Sequence, residues 1–103
     1  MIKVSVFYPN GASAKFDMAY YLATHIPLVR QKLGSGCKGV AVDQGIAGGS
    51  PGTSPTYLAS CHLLFNSVEE FQSAFAPHAA AIMGDIPNFT SVQPIIQINE
   101  VKL

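Results

Sequence analysis

Apolar residues alternate with polar ones at the start of the chain. Ile2, Val4 and Val6 enclose Lys3 and Ser5, the period-two pattern of a strand with one buried face over residues 2–8, and Pro9-Asn10-Gly11 breaks it. The period then lengthens. Asp17 can cap a helix in which Met18, Tyr21, Leu22, His25 and Val29 recur at steps of three and four, with its end near Leu33-Gly34. Pro27 lies inside this helix and has no N–H to give the carbonyl of Ala23, so a kink or a break just after His25 is expected. Residues 36–43 and 56–65 read as the second and third strands, joined by a long hairpin loop, QGIAGGSPGTSP. Ser67-Val68-Glu69-Glu70 fits the S-x-x-E capping box and opens a second helix with Val68, Phe71 and Phe75 on one stripe. Pro77 ends that helix and starts a short helical turn through Met83. Residues 92–101 supply a fourth strand, whose Pro94 argues for an edge position or a bulge.

The order β-α-β-β-α-β is that of the ferredoxin-like α+β fold, a four-stranded antiparallel sheet with two helices on one face. Residues 1–103 make one domain in this reading. The other sheet face has no cover of its own, and a second copy of the chain is the economical cover, which makes a homodimer the expected partner. Composition points the same way: 49% of residues are hydrophobic and 12% charged, which leaves little to solvate a whole monomer surface.

Six Lys and Arg balance six Asp and Glu without clustering, so nucleic acid has no electrostatic footprint here. No stretch has the length of a membrane span, and the first residues lack a signal-peptide pattern. Cys37 and Cys61 show neither zinc spacing nor C-x-x-C, and fit a reduced, cytoplasmic setting. The Asn88-Phe89-Thr90 sequon is read as fortuitous in that setting. Gly45, Gly48, Gly49 and Gly52 match no phosphate-binding pattern, and flavin and nicotinamide fingerprints are absent, so no cofactor or metal is implied by motif.

Three residues are candidates for catalysis. His25 occupies the apolar stripe of the first helix one turn after Tyr21, where an imidazole faces the interior and burial can tune it as acid or base; the alternative is a buried histidine satisfied by its neighbours. His78 continues the stripe of Phe71 and Phe75 and is expected to point inward from the second helical region. Asp85, seven positions on, either orients one imidazole or caps the Ile86-Pro87-Asn88 turn through an Asx bond. Tyr8, Tyr20, Tyr21 and Tyr57 can each offer an apolar wall with one hydroxyl, and Tyr8, Tyr21, Phe75 and His62 are the candidate ligand contacts. The sheet face of His62 is open, because Ser60, His62 and Leu64 do not decide it. Arg30 either meets a substrate carboxylate or lies on a solvated helix face.

Phe16-Asp17 with Tyr20-Tyr21, Thr24-His25-Ile26-Pro27-Leu28, Phe75-Ala76-Pro77-His78 and Asp85-Ile86-Pro87-Asn88-Phe89-Thr90 together resemble the EthD family of the dimeric α+β barrel superfamily. The likeness spans nearly the whole chain. It implies two subunits whose sheets form a shared barrel, with a pocket in each between sheet and helices. Members are linked to ether degradation, aromatic catabolism and polyketide tailoring, and some dimeric α+β barrels hold haem through one histidine, a role open to His25 or His78. The function expected is cofactor-independent acid–base chemistry on a small apolar, aromatic, carbonyl or lactone metabolite. The alternatives are a non-catalytic binding accessory to an oxygenase, or an oxidoreductase component as the family name suggests.

Overall fold

A computed structural model describes all residues, Met1–Leu103. Four strands, β1 (Ile2–Pro9), β2 (Gly39–Gln44), β3 (Tyr57–Phe65) and β4 (Ile95–Glu100), pair antiparallel in the order β2-β3-β1-β4. A helix over 18–33, α1, joins β1 to β2; α2 (Val68–Phe75) and α3 (Ala79–Gly84), with a 3-10 turn Ala76–His78 between them, lead to β4. This is the ferredoxin-like α+β fold. No helix is long and apolar enough to cross a membrane.

Alternation decides which residues meet the helices. Val4 pairs with Leu63 on one side and Ile98 on the other, and Val6 pairs with Cys61 and Ile96, so these side chains share the helix-bearing face. Phe65 at the end of β3 is fully buried and meets Phe71 of α2 edge-on, with ring centroids 5.2 Å apart. Burying such a ring is worth about 1.5–3 kcal/mol. β4 is an edge strand that no helix covers, so Ile96 and Ile98 stay 46% and 40% exposed although they face the helix side.

Three sequence expectations are corrected. The fourth strand starts at Ile95 rather than residue 92, because Pro94 cannot donate to the ladder and ends the approaching loop. The second strand starts at Gly39 rather than residue 36, since Gly34–Gly36 forms a 3-10 turn entered through Gly34 at φ 66°, a conformation that disfavours any side chain. Pro27 neither breaks nor ends α1. The turn before it, Tyr21–His25, widens into a π turn in which the Ile26 N–H bonds to the Tyr21 carbonyl, five residues back. The hydrogen-bond ladder is already shifted where the proline ring enters, and the helix runs on through Ile26–Leu33. Between β2 and β3 the hairpin stays bonded beyond its strands, Gly45 N–H to the Leu58 carbonyl at 2.9 Å, and a side chain at Gly45 would strike the Tyr57 carbonyl.

Candidate functional site

Between the sheet and the helices lies a cavity of about 180 Å³. Val4, Val6, Tyr8, Cys61 and Leu63 form its sheet wall; Tyr21 and His25 of α1 and Phe75 of α2 stand across from it; Met83, Ile86, Pro94 and Ile96 flank the side toward β4. No charged side chain lines it. The partial exposure of Met83 and Ile96 opens the cavity along the uncovered β4 edge. Its volume is near that of a cavity of ~150 Å³ that holds one benzene ring. A porphyrin is larger than this cavity as the single chain shapes it.

His25 sits in the π turn, 3% exposed, with Tyr21 stacked on one side at 5.3 Å and Phe89 at 4.5 Å. Its Nδ1 is 2.9 Å from Asp85 Oδ2. An ionised carboxylate has no proton to give, so Nδ1–H donates and the lone pair is left on Nε2. Nε2 has no partner within the chain, yet no sealed side-chain polar atom is without one; Nε2 therefore keeps an opening, and the open space its ring borders is the cavity. Asp85 is held in turn. Its Oδ1 accepts from the Tyr20 hydroxyl at 2.7 Å and from Asn88 Nδ2 at 2.9 Å, and the 3-10 turn Ile86–Asn88 that follows α3 brings Asn88 into reach.

Electrostatics agree with this arrangement. Burial lowers the His25 pKa and outweighs the opposing pull of Asp85, so the imidazole is neutral at neutral pH. Burial alone would raise the Asp85 pKa, but hydrogen bonds from Asn88, Tyr20 and His25 hold it below the ordinary carboxylate value. Burial pushes Tyr8 up to about 12 and Cys61 up to about 11, and lifts Tyr21 still further, so all three stay protonated.

The fold thus brings His25 and Asp85 together and sets Tyr8, Tyr21 and Phe75 along the same cavity. It separates His78 and His62 from them. His78 is outside the cavity lining: its backbone at φ −119°, ψ 5° leaves the helical region between α2 and α3, so the stripe of Phe71 and Phe75 does not extend to it. His62 lies on the helix-free face, where Nδ1 is 2.8 Å from Ser5 Oγ, which also accepts from Asn99 at 3.2 Å. Its Nε2 is 3.7 Å from Asp43 Oδ2. Arg30 is exposed on α1. Sequence reasoning gave Tyr20 a wall and a hydroxyl without a partner for it; the bond to Asp85 spans 65 positions and leaves no local signal.

Comparison with known proteins gives the following. The model of the EthD domain matches residues 9–93. An EthD-like protein from Ralstonia eutropha JMP134 has a similar structure, with TM-score 0.94 and 43% identity over 99% of this chain and 92% of that one. An EthD family protein from Bacillus halodurans C-125 superposes with TM-score 0.75 at 23% identity, covering 99% of each chain. A protein described as an antibiotic biosynthesis monooxygenase from Bordetella bronchiseptica shares the fold, with TM-score 0.60 at 14% identity over 99% of this chain and 96% of that one. No curated protein sequence matches.

Proposed function

The chain belongs to the EthD domain family, and on that premise we propose that it is a cofactor-independent acid–base enzyme acting on a small apolar metabolite with a carbonyl, lactone or aromatic ring. The observation that carries this is His25: one ring nitrogen anchored by a carboxylate, the other free toward an apolar cavity of single-ring size. A neutral, oriented imidazole away from bulk water is what a general base near neutral pH needs. Asp85 fixes the tautomer, and Tyr20 and Asn88 are positioning residues that hold Asp85. His78 and His62 are not assigned a step.

The test is deuterium uptake from D2O by small cyclic ketones and lactones, followed by proton NMR. Wild type is expected to speed exchange, and His25→Gln to abolish it while keeping the fold. Failure of His25→Gln to fold would make His25 structural and overturn the reading. A second reading, a binding accessory to an oxygenase, is favoured by the apolar character of the cavity; it predicts ligand uptake with no exchange by wild type. The helix-free face, with Phe7, Tyr57 and Leu64 among its residues, is proposed to pair with a second copy.

A further inference from the structure

We infer that Tyr8 and Tyr21 form an oxyanion site for the reaction at His25, and that the substrate is a small uncharged cyclic compound with a carbonyl and an acidic neighbouring C–H. This inference rests on the acid–base reading above and names its substrate class.

The two tyrosines are 2% and 1% exposed. A phenol so deeply buried normally spends its hydroxyl on a protein acceptor. Here the only side-chain partners are one another: the Tyr21 hydroxyl is within loose hydrogen-bonding reach of the Tyr8 hydroxyl and of the Cys61 thiol, and no backbone carbonyl or carboxylate holds either phenol. All three residues line the cavity, so an oxygen placed in it competes only with these loose mutual contacts for the two O–H groups. Tyr8 is carried by β1 and Tyr21 by α1, and their rings meet edge-on at 5.6 Å, so two donors from different layers are held at one place.

The cavity thus offers one acceptor, His25 Nε2, two neutral donors, and no fixed charge. A carboxylate or phosphate would find no counter-ion in it. An enolisable carbonyl fits. His25 Nε2 takes the proton from the carbon beside the carbonyl, the C–H electron pair becomes the new C=C bond, and the carbonyl π pair moves onto oxygen. The two phenolic O–H groups donate to that oxyanion without giving up their protons, since burial keeps both phenols far from ionising. Returning the proton from His25 to the enolate oxygen, or to the far carbon of a C=C bond conjugated with the enolate where the ring carries one, completes a tautomerisation. Atoms and electrons balance without an oxidant or a second substrate. A general base facing neutral hydrogen-bond donors in an apolar site is an established route to enolates.

4-Nitrophenol tests this, because its phenolate is a single-ring mimic of the enolate and has a distinct visible band. At a pH where the free compound is mainly protonated, binding to wild type is expected to produce the phenolate band, with the proton on His25. Tyr8→Phe and Tyr21→Phe are each expected to lower the bound phenolate fraction at least about tenfold, while nitrobenzene, an uncharged isostere, binds within twofold of wild type. Either variant decides the matter if the other fails to fold. A band that needs His25 but survives both tyrosine substitutions overturns the oxyanion site and spares the base. Binding to wild type only as neutral phenol also overturns it. If neither compound binds, the cavity reading falls as well.

Discussion

Replacing Asp85 by Asn tests the link between the carboxylate and the histidine directly. Asp85 Oδ1 accepts two hydrogen bonds and Oδ2 one, at 2.7, 2.9 and 2.9 Å, and the side chain is 12% exposed. An amide in its place has one acceptor atom for three donors. Keeping its oxygen toward Tyr20 and Asn88 retains two bonds and turns its NH2 toward His25 Nδ1. The imidazole must then accept at Nδ1 and carry its proton on Nε2, which converts the cavity-facing base into a donor. Bonds to a charged acceptor are worth ~1.5–3 kcal/mol and neutral ones ~0.5–1.5, so weakening two of them costs about 2 kcal/mol. For a domain of this size that corresponds to a fall in Tm of about 8–16 °C. Turnover should fall by a factor on the order of 10⁴, as when a catalytic histidine is held in the wrong tautomer. Long-range 15N–1H correlation spectra report which ring nitrogen is protonated, and calorimetry reports Tm. Wild type is expected to show Nδ1–H and Asp85→Asn to show Nε2–H. An unchanged tautomer in the variant, or Nε2–H in wild type, would refute the reasoning.

Stability should depend on pH through the same pair. The folded His25 pKa lies below its ordinary 6.5, so the unfolded chain takes up the proton first, and stability falls as pH drops below about 6.5 toward the folded value; Asp85, held below 3.8, adds a second loss once pH passes below that ordinary value. Urea denaturation from pH 8 to 4 should show the first loss, with His25→Gln flattening it; a rise in stability on acidification would mean that the His25 pKa is raised. Phe65→Ala removes a fully buried ring beside Phe71 and should cost about 3–5 kcal/mol in urea denaturation, and a loss below 1 kcal/mol would show that the site collapses around the gap. Sedimentation at micromolar concentration should find a dimer, and a monomer would contradict pairing through the helix-free face.

The sheet and the capping of α2 were legible because each rests on local rules. Ile2, Val4 and Val6 alternate as they pair, and Ser67 accepts from the Glu70 N–H at 3.1 Å as the S-x-x-E spacing implies. His25 and Asp85 could be named from the sequence, but their meeting across 60 positions is a product of packing. His78 was misplaced because the stripe argument assumes one unbroken helix, and the helix changes course at that residue. The face of His62 was undecidable because both sets on β3 carry apolar residues, Leu58 and Leu64 on one side and Ala59, Cys61 and Leu63 on the other. Tyr20 was named for a wall and a hydroxyl, but the partner of that hydroxyl was not legible, because the side chain lies off the stripe and Asp85 is 65 positions away.

The π turn in α1 also settles a question of phase. Tyr21, His25, Val29 and Leu33 are all buried and lie four residues apart. In an ordinary α-helix of 3.6 residues per turn, steps of four precess by about 40° each, so over three steps such a row winds about 120° around the axis. A π turn is wound more loosely, so its four-residue step falls short of a full rotation and precesses the opposite way. One loose turn at the head of the row cancels much of the later drift, and four side chains that would spiral away from the sheet are kept in file. Pro27, which cannot join a regular ladder, then acts as a lock on the winding number: it discourages the helix from tightening and rotating His25 out of line with the cavity.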